Sequence, residues 1–178
     1  EEFAKDLTER GVLVVGEDHL GHGKTVTEGE TFGYFCENDA ATVVVRDVHR
    51  LKKMMEEKYP MIPYILVGHS MGSFIVRNYM ARYGTGVEGV VLLGTGTPKK
   101  AELMFAKTYA GIIGKIKGPR YISRFLDDIS TKSYMSGIEN AKTEHDWLTT
   151  DENSVEAFAK DTLCSGFTFT VNGYHTLY

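Results

Sequence analysis

The sequence predicts an α/β protein built on a parallel sheet. In roughly its first hundred residues, short apolar runs alternate with amphipathic helical segments, and the links between them are short. The runs are continuous rather than alternating, the pattern of strands covered on both faces. Glu1–Arg10 reads as the end of a helix, with Phe3 and Leu7 four apart and Gly11 as its stop. Val12–Val15 follows as a first strand, then a glycine-rich loop from Asp18 to about Gly33. A helix is expected over Asp39–Lys58, where Val44, Val48, Leu51 and Met55 form one stripe. Asn38 is its expected N-cap, and Tyr59-Pro60 ends it. Pro63–Val67 reads as the second strand, Met71–Tyr83 as a helix stopped by Gly84, and Val90–Leu93 as the third strand, broken by Gly94–Pro98.

After Pro98 the pattern changes. Helices are expected near Glu102–Ile113, Arg120–Ile129 and Asp151–Asp161, with a loop over Gly137–Thr150 and no clear strand. The chain therefore divides into a sheet-bearing core, residues 1–98, and a helical lid or cap, residues 99–178, expected to lie over the sheet's carboxyl edge.

The 178 residues suit one domain, with 42% hydrophobic and 25% charged residues, ordinary for a globular protein. The net charge of −4, with no basic block, leaves nothing to draw the chain toward nucleic acid or an anionic membrane. No apolar run reaches the length of a spanning helix. Cys36 and Cys164 match neither a zinc spacing nor a disulfide framework, which points to reduced thiols and a cytoplasmic setting.

Gly68-His69-Ser70-Met71-Gly72 fits G-x-S-x-G, directly between an expected strand and an expected helix. A one-residue turn there forces Ser70 into a strained backbone and lifts its hydroxyl clear of the sheet. Gly68 and Gly72 are expected to remove side chains that would clash where strand and helix pass. The helix N-terminus aims backbone N–H groups at a developing oxyanion, with Met71 N–H as the first donor.

This pentapeptide, together with Asp18-His19-Leu20-Gly21-His22-Gly23-Lys24-Thr25 upstream, resembles the monoacylglycerol lipase and lysophospholipase group of α/β-hydrolases, which is grouped with the S33-type serine aminopeptidases. The resemblance is good from Glu1 to about Gly96 and looser in the lid, through Asp146-Trp147-Leu148 and Gly166–Phe169. It implies a Ser-His-Asp triad of which only Ser70 lies in this chain. The Asp and His are expected beyond Tyr178, and a second oxyanion donor before Glu1. The chain then reads as a fragment lacking core strands at both ends, inactive and poorly soluble alone.

Chain order would also allow Asp146 and His175 as triad partners, but no strand pattern surrounds either, and a lid or pocket-lining role is favoured for His175. His69 is read as structural. His19 and His22 lack a third ligand at metal spacing and are expected to brace their loop by hydrogen bonds, with Asp18 and Thr25. His49 falls on a charged helix face and is expected to be solvated. Met104, Phe105, Tyr109, Ile112 and Ile113 recur at helical spacing, either packed on the sheet or walling an acyl chain.

The leading expectation is an esterase acting on a single-chain lipid ester, without cofactor or metal, touching membrane surfaces transiently through the lid. An aminopeptidase is the alternative, its amine held by Asp127, Asp128, Glu139 or Glu144. A non-catalytic binding protein on the same fold is the third.

Overall fold

The computed structural model describes residues 2–131 and 134–178. Glu1, where the sequence starts the first helix, lies outside the described residues. In chain order the elements are α1 (Glu2–Glu9), a 3-10 turn (Gly23–Thr25), α2 (Ala40–Lys58), β1 (Ile65–His69), α3 (Met71–Tyr83), β2 (Gly89–Leu93), α4 (Lys100–Lys117), α5 (Arg124–Thr131), α6 (Glu152–Lys160) and α7 (Val171–Leu177).

β1 and β2 run parallel, joined through α3, with Ile65 opposite Gly89 and His69 opposite Leu93. The inward-facing Leu66 of β1 packs with Val45 of α2 and Val76 and Tyr79 of α3. Two further clusters complete the interior. Phe35, Ala40 and Val44 seat the start of α2, and Ala110, Leu126, Val171 and Tyr174 join α4, α5 and α7. Gly111 and Gly114 of α4 face α7, where a Cβ would make only ordinary contacts, 3.7 Å from His175 and 3.6 Å from Val171.

Several expectations are corrected. Val12–Val15 forms no ladder among the described residues, and Val12 and Leu13 are each 47% exposed. An apolar run becomes a strand only beside a partner, and neither β1 nor β2 pairs with it. Burial of β1 and β2 on both faces is not met either, since Ile65, Val67, Val91 and Leu93 stay exposed. The N-cap of α2 is Asp39, left-handed at φ 46°, not Asn38. The Asp39 carbonyl accepts from Thr42 and Val43 N–H, and its side chain caps nothing.

His49 is not free in solvent. Its Nδ1 lies 3.0 Å from the Tyr79 hydroxyl and its ring stacks on Tyr83, centroids 4.2 Å apart. A periodicity reading of α2 cannot see the two tyrosines that α3 brings to that face. Burial pushes the Tyr79 phenol up to about 12.

The α7 helix is a new element. The glycine at position 173 argues against a helix there, yet Thr170 caps it, its side chain accepting from the Gly173 N–H. Any larger residue would collide with the Gly33 carbonyl, 2.3 Å from a Cβ at 173.

Candidate functional site

The β1 strand ends at His69 and α3 starts at Met71, so a single residue, Ser70, makes the turn. Its backbone sits at φ 49°, ψ −118°, a region L-residues avoid. Three hydrogen bonds hold it there. Ser70 N–H donates to the Leu93 carbonyl at the end of β2, 2.9 Å. The Ser70 carbonyl accepts from the Ser73 N–H at 2.9 Å and the Ser73 hydroxyl at 2.6 Å. Ser73 is fully buried, and its bracing role was not read from the sequence, although a serine three residues into a helix is a legible signal.

Close approach of strand and helix explains one of the two flanking glycines. A Cβ on Gly68 would lie 2.5 Å from the Gly72 carbonyl oxygen and 2.9 Å from a Val76 methyl. Gly72 itself faces open space, so the expected clash at that position does not arise. The strain leaves Ser70 exposed at the N-terminus of α3, beside the Met71 N–H, which has no acceptor within the helix. Met71 also packs against the cluster of Phe35, Ala40 and Val44. His69 is exposed, with its ring against Gly94. Among the described residues, no side chain hydrogen-bonds the Ser70 hydroxyl.

Asp18, Gly21, His22 and Gly23 assemble into a separate, tightly braced turn. Asp18 accepts from the Lys24 N–H, 2.9 Å, and fills the space a side chain at 23 would need. Thr25 Oγ1 stands 2.7 Å from the His19 carbonyl and accepts from the His22 N–H at 3.3 Å. Gly21 lies against the Tyr34 backbone, where a Cβ would be 2.4 Å from its carbonyl oxygen. His22 donates from Nδ1 to the Leu20 carbonyl, 3.0 Å, and its ring sits among Phe35, Phe167 and Phe169. Burial holds its imidazole below the ordinary histidine range, against the pull of the Leu20 carbonyl and Asp18. Burial lowers His19 as well, helped by His22. The expected bracing role of this loop is thus what the geometry provides for His22, Asp18 and Thr25. The exception is His19 Nδ1, which is buried without a hydrogen bond and faces Glu17 at 3.7 Å.

The segment before α7 docks onto this loop, a contact the sequence did not announce. Gly33 O accepts from Thr170 N–H and hydroxyl, 3.2 and 2.9 Å. The Asn172 side chain accepts from Phe35 N–H, 3.2 Å, and donates to the Cys36 carbonyl, 2.9 Å. Asn172 thereby pairs both groups of this largely buried stretch of backbone as a neighbouring strand would.

Of the lid residues, Met104 and Phe105 are 61% and 59% exposed, while Tyr109 packs toward Ala110, Leu126 and Tyr174. His175 is exposed on α7. Asp146 binds the Lys142 N–H and the Thr143 hydroxyl of its own turn, so the structure does not pair it with His175. Asp127 accepts from the Tyr174 hydroxyl, 2.7 Å. No group of His, Cys, Asp and Glu among the described residues could hold a metal ion. No described helix is long and apolar enough to cross a membrane.

Comparison with known proteins agrees with this geometry. Human monoglyceride lipase is 29% identical over 152 residues, covering 85% of this chain and 46% of the relative. The Monkeypox virus monoglyceride lipase homolog is 35% identical over 154 residues, 80% of this chain and 52% of that protein. The crystal structure of a highly thermostable carboxyl esterase from Bacillus coagulans, in complex with glycerol, superposes with a TM-score of 0.87 at 27% identity, covering 99% of this chain and 57% of that one. The chain spans about half the length of the curated relatives it matches. The model of the family described as serine aminopeptidase, S33, matches residues 1–178, and the chain belongs to that family, on an α/β-hydrolase fold.

Proposed function

We propose that the protein is a serine hydrolase of carboxylic esters, with a monoacylglycerol or lysophospholipid as the most fitting substrate class. The observation that carries this is the exposed, strained Ser70 on a one-residue strand-to-helix turn, at the N-terminus of α3. The lipase and esterase names of the relatives support the ester over the amide.

In the proposed reaction the Ser70 hydroxyl oxygen attacks the ester carbonyl carbon. A histidine base takes the hydroxyl proton, and the carbonyl oxygen becomes an oxyanion that the Met71 N–H binds. Collapse of the intermediate expels the alcohol, to which the histidine returns the proton, leaving an acyl-Ser70 that water hydrolyses by the same route. The base and its orienting carboxylate are proposed to come from outside these 178 residues, because no described side chain engages the Ser70 hydroxyl. The family's description keeps an aminopeptidase as the second reading. Against it, Asp127, one of the carboxylates that could receive a substrate ammonium, is already bound by Tyr174.

The test uses the full-length protein. A fluorophosphonate probe is expected to label Ser70, and Ser70→Ala to abolish labelling and lower p-nitrophenyl ester turnover by about 10⁴-fold or more. Turnover that survives with a few-fold loss would remove Ser70 from the mechanism. kcat/KM is expected to rise from acetyl to octanoyl esters, each buried methylene contributing about 0.8 kcal/mol. A fall along that series, with efficient cleavage of amino-acid arylamides, would favour the aminopeptidase.

A further inference from the structure

The β2 strand leads into the lid through residues 94–99, a short link that ends where α4 begins at Lys100. The start of the link is fixed beside the nucleophile. The Leu93 carbonyl accepts from the Ser70 N–H, 2.9 Å, and Gly94 then turns the chain in the left-handed region at φ 56°. A Cβ at 94 would stand 3.3 Å from His69 Nε2, so glycine suits both the turn and the close approach.

Beyond that point residues 95–98 are all exposed. Among the described residues, one hydrogen bond reaches residues 94–98. Arg77 Nη1, from α3, donates to the Gly96 carbonyl at 3.0 Å. The charge on the guanidinium strengthens that bond. The same guanidinium lies over the Phe74 ring, 5.9 Å from its centroid. Phe74 in turn meets the link, its Cζ 4.0 Å from where a Cβ on Gly96 would stand. Phe74 also lines a cleft with Met71 of the elbow and with Thr176 and Leu177 of α7. An arginine on an exposed helix flank is ordinary. One that lies over the ring three residues before it and bonds a carbonyl nineteen residues away joins two elements.

We propose that Arg77 is a positioning residue for ester hydrolysis, holding the link against Phe74 and so fixing the place of the lid relative to the elbow. The proposal rests on the ester-hydrolase reading and deepens it. Arg77 stands about two turns after Ser70, about 10 Å along α3, and acts through the link rather than on the reacting atoms. The consequence depends on the acyl chain. An acetyl ester meets little beyond the elbow. An octanoyl ester needs apolar surface farther out, which the lid supplies. A displaced lid therefore weakens binding of the long chain and leaves the chemical step alone.

The test compares the full-length parent with Arg77→Met and Arg77→Lys. Methionine keeps an apolar stem over Phe74 and has no donor, whereas lysine keeps a cationic donor. Arg77→Met is expected to raise KM for p-nitrophenyl octanoate by about three- to tenfold, the scale of one hydrogen bond, with kcat and the acetate kinetics within about twofold. Arg77→Lys is expected to return that KM to within about twofold of the parent, because the Gly96 carbonyl takes a single N–H. A second readout needs no catalysis. Trypsin cuts after Lys99 and Lys100, at the end of the link, and Arg77→Met is expected to speed that cut by about threefold or more. Arg77 is exposed, so the melting temperature should match the parent's. A tryptic rate equal to the parent's, KM values that shift in parallel for acetate and octanoate, a loss in kcat alone, or an octanoate KM that lysine does not recover would each overturn the proposal. A parent whose Ser70 resists the fluorophosphonate probe would instead overturn the hydrolase reading, and the kinetic role of Arg77 with it. The tryptic rate would still decide whether Arg77 holds the link.

Discussion

At Ser70 the fold accepts local strain to present a hydroxyl. For a residue with a Cβ, the observed backbone angles cost about 1–3 kcal/mol. Glycine does not pay that cost. Ser70→Gly is therefore expected to be more stable than Ser70→Ala, by about 1 kcal/mol or more in chemical denaturation, with both lacking the nucleophile. Equal midpoints would mean that the elbow relaxes and stores no strain. Gly68→Ala works in the opposite direction, because its Cβ would stand 2.5 Å from the Gly72 carbonyl oxygen. We expect it to destabilise by about 1–3 kcal/mol and to reduce fluorophosphonate labelling of Ser70, since relief requires β1 and α3 to separate. The strained serine and the close approach at Gly68 are both written in the pentapeptide, where turn length leaves little choice. The roles of Gly72 and Ser73 are not, because they depend on which direction each Cα presents once α3 has settled.

Among elements, local signals carried the helices well and their partners poorly. The stripe on α2 and the glycine after α3 mark those helices in the sequence. The contact between His49 and Tyr79, the dock of α7 on the glycine loop, and the helix α7 itself all join residues far apart in sequence. Asn172 shows what such a contact contributes. It bonds the Phe35 N–H and the Cys36 carbonyl across more than a hundred residues. Asn172→Ala leaves both without that partner, and a loss of about 1–3 kcal/mol is expected by urea denaturation. A change within about 0.3 kcal/mol would show that water replaces the amide at no cost. The loop beneath it is expected to be sensitive to acid. His22 has a folded pKa below its unfolded value of 6.5, because burial disfavours the imidazolium. The unfolded chain then binds more protons between those values, so this contribution is intact above about pH 6.5 and is lost as the pH falls through that window. Glu17, raised by burial, acts with the opposite sign, its contribution lost as the pH rises through its own folded pKa. His22→Asn keeps a donor for the Leu20 carbonyl and removes the titration. Its stability is expected to fall less than the parent's between about pH 7.5 and about pH 5.5. Parallel declines would place the acid sensitivity elsewhere.

Over the whole molecule, the parallel strand pair and its flanking helices follow from the alternation of apolar runs and helical stripes. The sheet's surroundings do not. In β1, Leu66 and Gly68 face the helices and are buried, whereas Ile65 and Val67 face away and are 58% and 44% exposed. A sheet meant to meet water on that side would place polar residues there. In β2 both faces stand open, with Val91 and Leu93 at 43% and 45% and Val90 and Leu92 at 38% and 36%, and Val12, Leu13 and Val15 add apolar surface without a ladder. The sequence thus specifies a sheet covered on both faces, while the described residues bury only one face of β1 and neither face of β2. Apolar strands with free edges associate readily, because each edge offers unpaired backbone groups beside a hydrophobic surface. The 178-residue chain produced alone is therefore expected to bind a hydrophobic dye such as ANS and to elute as associated species on size exclusion with light scattering. It is expected to show no measurable p-nitrophenyl butyrate turnover, because the Ser70 hydroxyl has no base among the described residues and stays protonated. Ile65→Thr with Val67→Thr keeps the β-branched shape on the outward face and adds hydroxyls. This pair should lower dye binding and raise the monomer fraction without restoring turnover. A monomer that excludes the dye would show that the outward face is closed in solution. Turnover near about 1 s⁻¹ would place the base within these residues, with His69 and His175 the first to substitute.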